Sequence, residues 1–178
     1  GAGKTTLLNM LTGKMQPDSG RIVYNDAIRV GYLEQSPYFN NDNTVLQQVF
    51  DCGTEVTDVI RDYELALHSN DMDAIVRLTD KMDTLKAWDY EQRVKQILSQ
   101  LKITEFDKRV SQLSGGQQKR VALAALLISE PNFLILDEPT NHLDLDIIDW
   151  LEQYLLRSNV TLLMVTHDRY FLDRVCTD

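Results

Sequence analysis

The sequence predicts an α/β fold: a mainly parallel sheet flanked by helices, joined to a helical subdomain that carries an inserted antiparallel helical hairpin. Three observations predict it. Short apolar runs at Phe133 to Leu136 and Thr161 to Val165 alternate with segments of helical periodicity, the pattern that builds parallel sheets. The opening Gly1-Ala2-Gly3-Lys4-Thr5-Thr6 leads directly into a helical segment, as a phosphate-binding loop does. The stretch from Thr44 to about Leu101 is helical in pattern, with two apolar stripes separated by a short turn.

Each element follows from its residues. Thr5 to Thr12 reads as the helix leaving the glycine-rich loop, and Pro17-Asp18-Ser19-Gly20 as a turn. Arg21 to Tyr24 and Arg29 to Leu33 alternate and are β-branched enough for two strands, with Asn25-Asp26 turning between them. Asn40-Asn41-Asp42-Asn43 breaks the chain, and Thr44 can cap the next helix. Val56, Val59, Ile60, Tyr63 and Leu67 form one stripe; Met72, Ile75, Leu78, Met82 and Leu85 form another. With Ser69-Asn70-Asp71 as the turn, Thr54 to Lys86 is expected to be a helical hairpin. A third helix starts near Trp88 and buries Val94, Ile97, Leu98 and Leu101. Gly116 to Ile128 is a helix ended before Pro131, Leu145 to Leu156 another, and Asp168 to Val175 begins a last one. The expected division is a sheet-bearing core of 1–35 and 132–178, and a helical subdomain of 36–131 with its hairpin at about 54–86.

The 178 residues suffice for one sizeable core, and 43% of them are hydrophobic, as in globular proteins. There is no apolar run of about 18 residues, so no membrane-spanning helix is expected. Cys52 and Cys176 match no metal-ligand spacing and read as reduced thiols. A net charge of −9 argues against a general nucleic-acid binder, which needs clustered Lys and Arg. The pairs Lys108-Arg109 and Lys119-Arg120 are short enough to be solvated surface.

The chemistry-bearing residues sit at the ends of these elements. Gly1, Ala2 and Gly3 let backbone N–H groups curl around an anion at a helix N-terminus. Lys4 should reach the β- and γ-phosphates of a nucleotide, the Thr5 hydroxyl should bind Mg²⁺, and Thr6 should support the α-phosphate. Asp137 ends an apolar strand, where its carboxylate can hold Mg²⁺; Glu138 can orient and deprotonate an attacking water. Gln35, at the end of the strand Val30 to Glu34, can touch both the metal and that water. His167, after the strand ending at Val165, can hydrogen-bond a γ-phosphate and fix the Glu138 water. Ser114, Gly115, Gly116 and Gln117 precede a helix and form a second anion site, whose natural use is in trans, against a nucleotide on a facing domain.

In this order, the phosphate loop, Gln35, the Leu113-Ser114-Gly115-Gly116-Gln117 signature, the Leu134-Ile135-Leu136-Asp137-Glu138 strand and His167 resemble an ABC-type ATPase domain of the P-loop class. The resemblance covers nearly the whole chain. Pro139-Thr140-Asn141-His142-Leu143-Asp144 and Thr166-His167-Asp168-Arg169-Tyr170-Phe171-Leu172 resemble the ABC-F version, whose members are soluble proteins with two ATPase domains in one chain. Trp88 to Val94 and Ile147 to Glu152 look like the Uup branch, although Gln117 stands where Uup relatives commonly carry an aromatic.

That resemblance implies an Mg-dependent ATPase that takes ATP and Mg²⁺. It makes Asn141 to Asp144 the D-loop at the domain–domain contact and the 54–86 hairpin the family's helical arm. It implies a cytoplasmic protein without a membrane partner. Its partners would be a second ABC domain of the same chain and the ribosome, with DNA transactions as an alternative and a transporter subunit as a weaker one. By the same resemblance the chain is a fragment, lacking N-terminal strands, the linker and the second domain. Cut within its phosphate loop, it is expected to be inactive alone. One feature departs from a ribosomal-RNA partner: residues 51–90 hold ten acidic against four basic residues.

Overall fold

A strand forms only where its backbone finds a ladder partner, and three apolar segments of this chain find one another. A computed structural model describes residues 3–40, 42–51 and 53–176, so the expectations for Gly1, Ala2, Asn41 and Cys52 lie outside the described residues. The first elements are α1 (Lys4–Leu11), β1 (Val30–Leu33), α2 (Val45–Phe50), α3 (Glu55–Ser69), α4 (Met72–Thr84) and α5 (Trp88–Gln100). After a 3₁₀ turn at Val110–Gln112 come α6 (Gly115–Ile128), β2 (Phe133–Asp137), α7 (Leu145–Arg157), β3 (Thr161–Val165) and α8 (Arg169–Val175). Contacts divide the chain into two units: Gly1–Pro37 with Glu130–Asp178, and Tyr38–Ser129.

In the first unit the sheet is parallel in the order β1-β2-β3. Val30 pairs with Phe133 and Leu33 with Leu136; Phe133 pairs with Thr161 and Asp137 with Val165. The central strand is buried, as a parallel strand should be: Leu134, Ile135 and Leu136 are at most 1% exposed. Ile147 and Leu151 of α7 and Phe171 of α8 are buried with it. Asn132 ties the start of the sheet together. Its Oδ1 accepts from the Arg29 N–H at 2.8 Å, its Nδ2 donates to the Ala27 carbonyl at 2.8 Å, and its carbonyl accepts from the Thr161 N–H at 2.9 Å.

One expected strand does not form. Residues 21–24 have no ladder partner among the described residues and stay irregular. Tyr24 is instead held through its side chain, donating its hydroxyl to the Leu11 carbonyl at 2.7 Å and setting its ring against Phe133. The alternation at 21–24 is genuine, but alternation without a partner strand leaves backbone groups to water or side chains.

The second unit is helical. Thr44 caps α2 by a capping box with Gln47, and Thr54 caps α3 by one with Thr57. α3 ends at Asn70 in left-handed conformation, and Asp71 then caps α4 at the Ala74 N–H, so Asn70-Asp71 is the whole turn of the hairpin. The hairpin is therefore present over the expected span, but its apolar stripe is rotated. Thr57 and Ala66 are buried, whereas Leu67 and Met72 are exposed, because the tip has no third helix to cover it. α6 is apolar on almost every side, and Val121, Leu123, Ala124, Leu127 and Ile128 are all buried.

No helix among the described residues is long and apolar enough to cross a membrane. Cys176 is a free, half-buried thiol.

Candidate functional site

The C-terminal ends of parallel strands gather functional side chains in open α/β sheets. Here β2 delivers Asp137 and Glu138, and β3, paired beside it to Val165, delivers Thr166 and His167 immediately afterwards. The Glu138 N–H donates to the Val165 carbonyl at 2.7 Å, which continues the pairing one residue past β2. Glu138 itself lies at φ 50, a left-handed conformation that only a few per cent of non-glycine residues adopt. Such strain, of order 1–3 kcal/mol, persists only where surrounding contacts hold it, and it clusters at active sites.

Those contacts are visible. Glu138 is 6% exposed, and its Oε2 accepts the His167 backbone N–H at 3.3 Å. The His167 Nε2 lies 3.5 Å from Glu138 Oε1, with the imidazole otherwise open to solvent. The structure thus brings together Glu138 and His167, two of the residues expected to carry catalysis. The third, Gln35, is exposed and sits two residues beyond β1 rather than ending it. Since β1 lies next to β2 in the same direction, Gln35 leaves the sheet at the same edge as Glu138.

Asp137 is 3% exposed at the last ladder position of β2. Its neighbour on the same face is Tyr32, a residue that sequence reasoning passed over. Burial, with the negative charges of Asp137 and Glu34 adding to it, raises the Tyr32 hydroxyl above its ordinary value. A neutral phenol beside a buried carboxylate is a hydrogen-bond donor rather than a second anion. The only sequence signal for it was an aromatic two places before Glu34.

The glycine-rich turn opens α1. Gly3 caps the helix at φ 75, and no atom lies within 4 Å of where a Cβ would stand, so the glycine is required by its backbone angle and not by crowding. Lys4, Thr5 and Thr6 occupy the exposed first turn, and only Leu8 is buried. The free N–H groups and side chains of that turn fit a phosphate. Gly1 and Ala2, expected to complete it, lie outside the described residues. Thr5, Gln35 and Asp137 are hard oxygen donors with a single carboxylate among them. That set suits Mg²⁺, which is commonly held by one or two carboxylates together with substrate phosphates.

Ser114 to Gln117 belong to the second unit. Ser114 caps α6: its Oγ accepts the Gln117 N–H at 3.3 Å, and the Gln117 Oε1 accepts the Ser114 N–H at 2.9 Å. The cap uses a lone pair of Oγ and leaves its O–H able to donate. Gln117 also donates through Nε2 to Glu105 at 3.2 Å, a contact across 12 positions that the sequence does not announce. Gly115 has open space where a side chain would be. Asp144, at the N-cap of α7, is exposed and does not cap the helix with its side chain.

Comparisons with known proteins identify the family and the fold. Residues 1–141 match the family model described as ABC transporter. Among curated proteins, the uncharacterized ABC transporter ATP-binding protein YfmR of Bacillus subtilis is 40% identical over 98% of this chain and 29% of its own length. The energy-dependent translational throttle protein EttA of Mycobacterium tuberculosis is 39% identical over 98% of this chain and 33% of its own. ABC transporter F family member 5 of Arabidopsis thaliana is 35% identical over 99% of this chain and 28% of its own. The chain therefore spans about a third of the length of the curated relatives it matches. Among solved structures, the archaeal ribosome recycling factor aABCE1, in complex with the stalk protein aP1, superposes with a TM-score of 0.65 at 26% identity, over 97% of this chain and 28% of that one. An ATP-binding subunit of an ABC transporter reaches 0.71 at 21% identity, over 98% of this chain and 68% of that one; at that identity the likeness shows the fold alone.

Proposed function

The chain belongs to the ABC transporter family as one of its ATPase domains, and we propose from that premise that it is one half of an ATP-driven clamp in an ABC-F protein of the Uup branch, acting on the ribosome. The observation that carries the hydrolytic part is the strained, buried Glu138 held by His167 at the sheet edge. Lys4 and the N–H groups of the first turn of α1 bind the phosphates. Glu138 takes the proton of the attacking water, and His167, beside it, orients that water and the terminal phosphate. General-base assistance of this kind contributes about 10²–10⁴ in rate. Thr5, Gln35 and Asp137 would hold Mg²⁺, which when bound would neutralise phosphate charge.

Ser114 and its glycines act in trans. The hydroxyl left free by the cap and the open N–H groups at the start of α6 donate to the terminal phosphate on a facing ABC domain. Asp144 lies at the contact between the two domains. Closure then depends on the phosphate that bridges them, and its loss reopens the pair. The ribosomal target is supported by similar proteins known as a translational throttle protein and a ribosome recycling factor.

The test is Glu138→Gln in the full-length protein, with the matching change in its other ATPase domain. ATP is expected to trap the closed state, and the trapped protein is expected to sediment with ribosomes. Loss of turnover without ribosome association overturns the target and keeps the ATPase. Retention on duplex DNA instead assigns the clamp to DNA transactions.

A further inference from the structure

A second concave site lies wholly inside the helical unit, and none of the residues proposed to bind nucleotide lines it. It is a cavity of about 220 Å³ between α2, α3, α5 and the segment that follows α5. An apolar cavity of about 150 Å³ already accommodates benzene. The walls are apolar, with Phe50 and Ile60 at most 1% exposed, and Leu98 and Phe106 beside them.

The polar part of the lining is unbalanced. Glu64 and Glu91 both face the cavity, with side chains 17% and 7% exposed. A single lysine, Lys95, serves both. It pairs with Glu91 one turn away on α5 and with Glu64, whose Oε1 lies 3.2 Å from its Nζ. His68, its ring tilted against Phe106, also lines the cavity; no arginine does among the described residues, and the Lys95 side chain is 56% exposed. Two carboxylates thus share one largely exposed ammonium at the edge of an apolar chamber. Burial raises the Glu64 carboxyl above its ordinary value, the neighbouring Glu91 adds to this, and Lys95 only partly opposes it. A buried carboxylate in that condition gains from a second cation.

We propose that this cavity is a binding site for a small organic ammonium, with one aromatic or branched aliphatic group seated among Phe50, Ile60 and Leu98 and its charged nitrogen donating to Glu64 and Glu91. The volume admits a single ring with a short tail, and the charge selects a cation over an anion or a neutral analogue. Shape and charge thus specify the ligand class jointly, as in most small-molecule sites.

Three probes of similar size separate these contributions: 2-phenylethylammonium, 2-phenylethanol and phenylacetate, each titrated into the full-length protein. The readout is the methyl NMR signals of Val94, Leu98 and Ile103. The ammonium is expected to shift these methyls saturably and to bind about tenfold or more tightly than the alcohol, as expected for a hydrogen bond to a charged group. Phenylacetate is expected to bind more weakly than either. Glu64→Gln keeps the shape and should erase the preference of ammonium over alcohol. Ser99→Trp, at the exposed rim, should block all three probes without disturbing the core. Absence of saturable methyl shifts with the ammonium, equal binding of phenylacetate, or an unchanged preference in folded Glu64→Gln protein overturns the proposal.

Discussion

At the scale of single residues, Glu138 combines burial with a left-handed backbone. Its N–H still pairs with Val165, and its carboxylate accepts the His167 N–H. Glu138→Gln preserves size and position, so nucleotide should still bind while turnover falls by about 10²–10⁴, measured as steady-state phosphate release from the full-length protein. Lys4→Ala should abolish turnover by this domain, because the first turn of α1 loses its only side-chain cation; unchanged turnover would mean that the loop no longer serves catalysis. The identities of both residues are legible from motif order alone. The φ of Glu138 is not, nor is Tyr32 beside Asp137, because both depend on which strands lie next to β2.

At the scale of elements, caps and charge pairs decide how the helical unit is held. Ser114→Ala removes the side-chain cap of α6, and such losses cost about 0.5–2 kcal/mol. Denaturant titration should show that modest destabilisation, while ATP turnover should fall further than it explains, since the same hydroxyl is proposed to donate in trans. The hairpin adds a pH dependence. Burial raises the Glu64 carboxyl in the folded protein above its ordinary value of 4.5. The native state therefore holds this proton more tightly than the unfolded chain does. The resulting stabilisation is full below pH 4.5 and is lost as pH rises through the folded value. Glu64→Gln should flatten that decline, read as melting temperature against pH from 4 upwards. Lys95 keeps Glu91, the largest source of its own raised pKa, so the variant leaves it partnered. Periodicity located both helices of the hairpin and their turn, because spacing at three and four is a local property. It misplaced Leu67 and Met72, because exposure at a hairpin tip depends on whether another helix reaches it.

For the whole molecule, the sheet is the organising feature of one unit and helix packing that of the other. Ile135 lies fully buried in the central strand between β1 and β3. Ile135→Ala should cost about 2–5 kcal/mol, and amide exchange should rise in β1 and β3 together, since both ladders depend on β2. By itself the sequence determined the parallel character of the sheet and the order and kind of the elements, except the strand expected at 21–24. All of these follow from local periodicity, turn chemistry and motif spacing. Only the tertiary structure decided that residues 21–24 stay unpaired, that Glu138 meets His167, that Glu105 holds Gln117, and that Glu64 and Glu91 share one lysine at a cavity. Each of these depends on which distant segment comes to lie alongside. Such pairings are set by burying the core as a whole, and no short window of residues encodes them.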